Sequence, residues 1–273
     1  LSTATPLPDY YSIKALAERS YGEGELNIEY LWERQEDFVR YYITYPSEGL
    51  TIHGFVDVPQ GKGPFPVVIA LHGYIPASEY ETLDYSTRYA DSIARQGYIV
   101  LHPNMRNFPP SDSVGRKNDL MTGYSVDVLN LLALVRKQAG QPGIFEQADM
   151  EHIGIWGHSL GGGIALRVAT VVDDIDAIVL YGAVTQRYNE SPLGLPVYDL
   201  RVIEAPFSIH HGLDDKVISP TWSTTICDAL EELGKEHECF FYEGQPHTFL
   251  SSSTSDVLFI QRTIEFFNEN LHD

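Results

Sequence analysis

The sequence has little of what marks several large classes of protein. Its 273 residues include two cysteines, Cys227 and Cys239, and no metal-ligand spacing surrounds them. It contains no C-x-x-C, H-E-x-x-H or G-x-G-x-x-G motif, the usual signs of thiol redox, zinc and dinucleotide sites. No uncharged apolar run reaches the ~18 residues that a membrane-spanning helix requires. The sequence therefore predicts no metal, no cofactor and no passage through a membrane.

Basic residues are also few. Lysine and arginine number 18 against 38 aspartates and glutamates, which gives a formal net charge of −20. This charge argues against binding to nucleic acid or to an anionic membrane surface. The acidic residues are spread along the chain, as is typical of a solvated surface. A content of 43% apolar residues is enough for one α/β domain with a full core.

Residues 154–163, GIWGHSLGGG, form the most informative stretch. A short apolar run leads into the pattern G-x-S-x-G, centred on Ser159, and small and apolar residues at helical spacing follow. In such a pattern the serine occupies a tight turn from strand to helix, and the flanking glycines keep side chains away from it. N–H groups at the start of the helix face the position where negative charge develops. The stretch therefore predicts that Ser159 is a nucleophile.

A serine nucleophile needs a base and a group that orients the base. His247 is the candidate base because it lies in a loop directly after the strand predicted over residues 238–242. Asp214 and Asp215 both follow the strand predicted over residues 207–210, so the position alone allows either carboxylate to orient the base. All three roles then fall in loops after strands, where open α/β sheets place their sites. The order serine, aspartate, histidine is that of α/β hydrolases.

The oxyanion hole requires two N–H donors aimed at the developing charge. Leu160, directly after Ser159, is expected to supply one. Tyr74, in the loop after the strand predicted over residues 67–71, is expected to supply the other through its backbone. Three further side chains are predicted to contact the substrate: His158, Phe108 and Trp222.

Strand and helix patterns alternate from residue 38 onward, which predicts a mostly parallel sheet with helices on both faces. The unbroken apolar run at residues 67–71 is typical of a strand buried on both sides. Predicted strands cover residues 38–44, 50–58, 67–71, 98–102, 153–156, 177–181, 207–210 and 238–242. Predicted helices cover residues 87–96, 119–139, the stretch after Ser159, residues 220–233, and a C-terminal segment with an apolar stripe of Val257, Ile260, Ile264, Phe267 and Leu271.

The first 36 residues show only weak helical patterns, at residues 12–21 and 27–36. We expect them to form an N-terminal arm packed on a catalytic domain of residues 37–273. The irregular residues 185–206 predict a short cap over the site. The start at Leu1 is consistent with a trimmed end or with the mature end of a secreted or periplasmic protein, the alternative being a cytoplasmic one. Cys227 and Cys239 could meet where helix packs on strand, but we expect free thiols, since buried cysteine is a common apolar filler.

Four motifs together resemble the α/β-hydrolase superfamily: His72-Gly73-Tyr74, GHSLGG at residues 157–162, HGLDDKV at residues 211–217 and GQPH at residues 244–247. Over about residues 38–272 the chain is similar to the group around dienelactone hydrolases, prolyl-oligopeptidase-like catalytic domains and small carboxylesterases. In the family pattern the acid stands four residues after the histidine, which selects Asp215 over Asp214. One departure is the nucleophile, which is Ser159 where dienelactone hydrolases use cysteine.

The resemblance implies a serine esterase that cleaves small-molecule esters through an acyl-enzyme and needs no cofactor. The short predicted cap favours short acyl groups. The alternative is a serine aminopeptidase or acylpeptidase of the prolyl-oligopeptidase-like group, which shares the triad but requires an anchor for the substrate's amino end. A non-catalytic binding protein on the same scaffold is a further alternative, disfavoured by the intact motifs. The sequence determines neither the acyl and alcohol groups nor the oligomeric state.

Overall fold

The structure is a computed structural model that describes residues 12–115, 122–185 and 198–272. Strands and helices alternate along these residues. The strands are β1 (Asn27–Arg34), β2 (Phe38–Ser47), β3 (Leu50–Pro59), β4 (Phe65–Leu71), β5 (Ile99–Pro103), β6 (Ala148–His158), β7 (Ala177–Tyr181), β8 (Phe207–Gly212) and β9 (His237–Tyr242). The helices are α1 (Ile13–Ala17), α2 (Thr87–Ala94), α3 (Thr122–Gln138), α4 (Leu160–Val171), α5 (Thr221–Leu233) and α6 (Thr254–Leu271).

The strands of the described residues form one nine-stranded sheet in the order β1-β2-β3-β5-β4-β6-β7-β8-β9. The first four strands in this order pair antiparallel. From β5 to β9 every neighbouring pair is parallel. The prediction of a mostly parallel sheet is confirmed. The carboxyl ends of the parallel strands therefore lie at one edge, and the loops that follow them can meet there.

The middle of the sheet is buried on both faces. All seven residues of β4 and all five of β7 are buried, as their unalternating apolar sequences predict. Helices α3, α4 and α5 place side chains such as Leu132, Ile164 and Ile226 in the core on one face. Helices α2 and α6 place Ile93 and Phe259 in the core on the other. Packing on both faces fixes the strand ends, and with them the loops that carry the site.

The N-terminal region differs from its prediction. Asn27–Arg34 is an edge strand, not a helix, because its backbone pairs antiparallel with β2. Weak helical patterning there gives way to hydrogen bonding along the sheet. Of the helix predicted over residues 12–21, only Ile13–Ala17 is helical. Residues 1–11 of the predicted arm lie outside the described residues.

The buried face of helix α6 differs from the predicted apolar stripe. Phe267 and Leu271 are buried as expected, but Val257 is 57% exposed. Phe259 and Phe266 are buried instead. The prediction is wrong at Val257: Phe259, two residues further on, lies on the opposite side of the helix, and that side faces the core.

Cys227 of α5 and Cys239 of β9 form a disulfide. The expectation of two free thiols is therefore wrong. Their Cα atoms lie 6.6 Å apart, within the span of a disulfide. Because β9 is the last strand of the sheet, the bond ties this edge to the helix beside it.

The predicted cap, residues 185–206, lies outside the described residues from 186 to 197. In the ranges that the structure does describe, no helix combines the length and apolar composition needed to cross a bilayer.

Candidate active site

Ser159 lies in the turn between β6 and α4. Its backbone has φ 53° and ψ −115°, a conformation that residues other than glycine rarely adopt. Hydrogen bonds hold the turn on both sides: Ser159 N–H donates to Tyr181 O at 2.9 Å, and Val184 N–H donates to Ser159 O at 2.9 Å. Strain of this kind persists where surrounding contacts fix it. The turn places Ser159 at the carboxyl edge of the sheet.

Two glycines allow neighbouring loops to approach this turn. A Cβ atom at position 161 would lie 2.1 Å from the backbone oxygen of Leu71, so only glycine fits there. A Cβ atom at position 73 would lie 3.1 Å from the Cβ of Ser159. The loop after β4 is thus pressed directly against the serine.

Asp215 and His247 come together from the loops after β8 and β9. His247 Nδ1 lies 2.6 Å from Asp215 Oδ2. The other carboxylate oxygen accepts the N–H groups of Val217, at 2.7 Å, and Ile218, at 2.9 Å. Gly182, directly after β7, passes beside the pair, since a Cβ there would lie 3.3 Å from His247 Nδ1. The pair therefore lies at the end of the strand next to the one that carries the serine.

His211 contacts the same carboxylate and was not singled out from the sequence. Its Nε2 lies 3.1 Å from Asp215 Oδ2 and 3.1 Å from Ile218 O, and its Nδ1 lies 2.7 Å from Ser223 Oγ. Because both neighbours of Nε2 are acceptors, Nε2 carries the proton and Nδ1 accepts from the hydroxyl of Ser223. The available signal was its place four residues before the acid in the HGLDD motif.

These contacts keep Asp215 ionised. Burial raises the pKa of Asp215, but the hydrogen bonds from His211, His247 and Ile218 N–H outweigh burial and hold that pKa below its ordinary value. Asp214 is exposed, and its N–H donates to Gln245 O at 3.0 Å. The structure brings Asp215, and not Asp214, to His247. Within the described residues no hydrogen bond joins Ser159 Oγ to His247, a contact that often tightens only when substrate binds.

The two expected oxyanion donors belong to the start of α4 and to the loop after β4. Leu160 is the first residue of α4, where an N–H has no partner within the helix. In the loop after β4, Gly73 N–H donates to Tyr85 Oη at 2.8 Å and is therefore occupied. Among the described residues, the N–H groups of Leu160 and Tyr74 have no hydrogen-bond acceptor. These two N–H groups are thus available to a ligand.

Two of the three predicted substrate contacts lie beneath the surface. His158 and Phe108 are each 2% exposed. Contrary to the prediction, neither side chain lines an open cleft. The ring of Phe108 packs edge-on against His72, 4.7 Å between centroids. Both ring nitrogens of His158 have protein partners, Tyr85 Oη and His247 O.

Trp222 is partly exposed and lines a pocket of about 470 Å³ together with Thr185, Tyr198 and Ile226. The Thr185 hydroxyl donates to Trp222 O at 3.2 Å, which connects this pocket to the segment directly after β7. A contact between Trp222 and substrate stays a prediction.

The sheet topology and the strained serine turn define this protein as an α/β hydrolase. The chain belongs to the dienelactone hydrolase family, whose model matches residues 52–271. The resemblance that the motifs indicated is confirmed, and with it the assignment as a carboxylic ester hydrolase.

Several proteins similar to this chain are distant from it in sequence. A protein of Synechocystis sp., named as a candidate carboxymethylenebutenolidase, is 23% identical over 217 residues, 76% of this chain and 85% of its own. Acetyl xylan esterase 1 from Thermoanaerobacterium sp. has a TM-score of 0.71 at 18% identity, over 97% of this chain and 93% of that one. The acylaminoacyl peptidase of Pyrococcus horikoshii has a TM-score of 0.68 at 20% identity, over 87% of this chain and 42% of that one. These structural likenesses show a shared fold.

Proposed function

We propose that this protein is a serine esterase that cleaves small carboxylic esters through an acyl-enzyme, with Ser159, Asp215 and His247 as its catalytic triad. The observation that supports this assignment is the 2.6 Å contact between His247 Nδ1 and Asp215 Oδ2 beside the serine turn. An Nδ1–H donated to a carboxylate leaves Nε2 unprotonated, which is the form of the ring that acts as a base.

In the proposed reaction, Ser159 Oγ attacks the ester carbonyl carbon while His247 Nε2 takes the hydroxyl proton. Asp215 orients the ring and stabilises the imidazolium that forms. The N–H groups of Leu160 and Tyr74 hold the negative oxygen of the tetrahedral intermediate. Collapse of the intermediate breaks the bond to the alcohol, which leaves with the proton from His247. Water then attacks the acyl-enzyme by the same route and releases the acid.

We also propose a preference for short acyl groups. Two acetyl xylan esterases, from Thermoanaerobacterium sp. and Paenibacillus sp. R4, have structures with TM-scores of 0.71 to this chain, and acetyl is a short acyl group.

Labelling of the nucleophile tests the central assignment. An organophosphonate should modify Ser159 alone, and Ser159→Ala should be neither labelled nor active while keeping its fold, because only one hydroxyl is lost. Ser92→Ala is the matched control: the Ser92 hydroxyl bonds within α2, to Arg88 O at 2.8 Å, and its loss should change neither labelling nor turnover. Modification of another serine, or normal turnover by Ser159→Ala, would contradict the assignment.

A substrate panel tests acyl size and bond type. Rates should be higher on p-nitrophenyl acetate and butyrate than on the palmitate, and higher on esters than on aminoacyl or acylaminoacyl anilides. Faster turnover of the palmitate would reject the short-acyl preference. A larger kcat/KM on an anilide than on every ester would instead favour a peptidase.

A further inference from the structure

A chain of hydrogen bonds runs beneath the candidate site through two side chains. Gly73 N–H lies 2.8 Å from Tyr85 Oη, and Tyr85 Oη contacts His158 Nδ1. On the other side of the ring, His158 Nε2 lies 3.0 Å from the backbone oxygen of His247. The chain connects the loop after β4 with the loop after β9, and it passes through the residue directly before Ser159.

For a neutral His158 ring, only one arrangement of protons satisfies these contacts. The backbone oxygen of His247 is an acceptor, so His158 Nε2 must carry a proton. In the neutral ring Nδ1 is then an acceptor, and the Tyr85 hydroxyl donates to it. The remaining lone pair of that hydroxyl accepts from Gly73 N–H. Every N–H, O–H and acceptor atom in this chain of hydrogen bonds then has a partner.

The surroundings favour this neutral arrangement. Burial, followed by the neighbouring His247, lowers the pKa of His158 to about 3. Burial also raises the pKa of Tyr85, so its hydroxyl keeps its proton. The His158 ring is enclosed by aromatic neighbours, with centroids 4.3 Å from Tyr181, 4.7 Å from His247 and 5.2 Å from Tyr85. Hydrogen bonds in such a dry environment are strong, and an unpaired polar group there is costly.

We propose that Tyr85 and His158 are positioning residues for ester hydrolysis. They hold the loop that presents Tyr74 N–H and the loop that presents His247 in a fixed relation to the serine turn. The inference rests on the proposed function, because it requires His247 as the base and Tyr74 N–H as an oxyanion donor. Both residues act through the loops that they bind.

The two connected loops contribute mainly to the transition state, in which charge develops on the oxyanion and on His247. A disturbance of their relative position should therefore lower kcat more than it raises KM. Loss of a general structural hydrogen bond would lower stability without this kinetic pattern.

Tyr85→Phe tests the proposal, because it removes the hydroxyl and keeps the ring. On p-nitrophenyl acetate kcat should fall about 10- to 100-fold, with KM within about twofold of wild type. Tyr98→Phe is the matched control, since the buried Tyr98 hydroxyl donates to Asn268 Oδ1 at 2.7 Å, far from the loops in question. It should lose a similar amount of stability in urea unfolding and keep its kcat. Equal kcat in the two variants and wild type would overturn the proposal.

Nitrogen-15 NMR of histidine-labelled wild-type protein gives a readout that does not depend on any variant. His158 should be protonated at Nε2 and unprotonated at Nδ1, and it should not titrate between about pH 5 and pH 9. The titratable groups that face the ring are Tyr85, Tyr181 and His247. Asp215 and His211 also lie near enough to act on its charge. A ring protonated at Nδ1, or one that titrates in this range, would overturn the proposal even if Tyr85→Phe fails to fold.

Phosphonate labelling distinguishes a failure of the proposed function from a failure of the positioning role. If wild-type Ser159 is not labelled, the proposed function fails whatever Tyr85→Phe does. If Ser159 is labelled and Tyr85→Phe is labelled at the wild-type rate, the positioning role alone is rejected. A labelling rate that falls in proportion to kcat supports it.

Discussion

Two buried aspartates lie in different parts of this molecule and are held by different partners. Asp57 of β3 is fully buried and accepts two hydrogen bonds from Arg40, from Nε at 2.7 Å and from Nη2 at 2.6 Å. Asp215 is 6% exposed and accepts from two histidine rings and two backbone N–H groups. Asp57 is paired with a side chain that is always charged, whereas a partner of Asp215 can gain and lose a proton.

The pKa values of the two carboxyl groups move in opposite directions. Burial raises the pKa of Asp57 to about 6, although Arg40 acts to lower it. At Asp215 the hydrogen bonds outweigh burial, and its pKa lies below the ordinary value. The number and kind of hydrogen-bond donors, and not burial alone, decide the direction in which the pKa of a buried carboxyl group shifts. A carboxylate held by neutral donors keeps a negative charge that can stabilise a cation on His247, which a carboxylate neutralised by arginine cannot do.

The largest expected difference is in catalysis. Asp215→Asn should keep the fold but remove the anion that orients His247, so kcat should fall by about 10⁴. Asp214→Asn is the matched control, because Asp214 is exposed and uses its backbone, not its carboxylate, to bond Gln245. Turnover of a short p-nitrophenyl ester by the two variants measures the difference. A severe defect in Asp214→Asn with near-normal Asp215→Asn would assign the role to the other carboxylate.

The next effect is on stability. Arg40→Met leaves Asp57 buried without its compensating charge, and the free energy of unfolding should fall by about 3–5 kcal/mol at pH 7. The kcat of the folded protein should not change, since Arg40 lies outside the candidate site. Arg95→Met, at a 42% exposed arginine 3.6 Å from Asp91, should cost less than about 1 kcal/mol. Urea unfolding curves give both values, and equal losses in the two variants would contradict the contrast between buried and exposed pairs.

The smallest effects are in the pH dependence of stability, and they have opposite signs. The pKa of Asp57 is higher in the folded state, so its contribution to stability is present below about pH 4 and is lost as pH rises through about 6. The pKa of Asp215 is lower in the folded state, so its contribution is present above about pH 4 and is lost as pH falls below that value. Relative to wild type, Asp57→Asn should gain stability as pH rises from about 4 to 7.

Asp215→Asn should gain stability relative to wild type as pH falls from about 5 to 3. Urea unfolding of the three proteins across this range measures both trends, with wild type as the common reference. If the stabilities of both variants relative to wild type changed in the same direction with pH, the pKa values of the two carboxyl groups would not be shifted in opposite directions.

Much of the fold and the family could be predicted from local patterns. The apolar run of β4 marks a central strand because burial on both faces requires it, and the predicted strand at residues 177–181 coincides with Ala177–Tyr181. The G-x-S-x-G pattern locates the turn of Ser159, since the close approach of Leu71 O excludes any side chain at position 161. These features depend on neighbours in the chain or on backbone sterics, which the sequence carries directly.

Only the tertiary structure decided which side chains face one another across the fold. The Cys227–Cys239 bond requires that two side chains on a helix and a strand point together, and the sequence shows only that the elements are adjacent. His158 was predicted to contact the substrate, yet its ring turns inward to Tyr85, 73 residues earlier in the chain. Rotation about a side-chain bond moves a ring from solvent to core without changing the local pattern. Its direction is therefore set by distant partners that only the folded chain brings within reach.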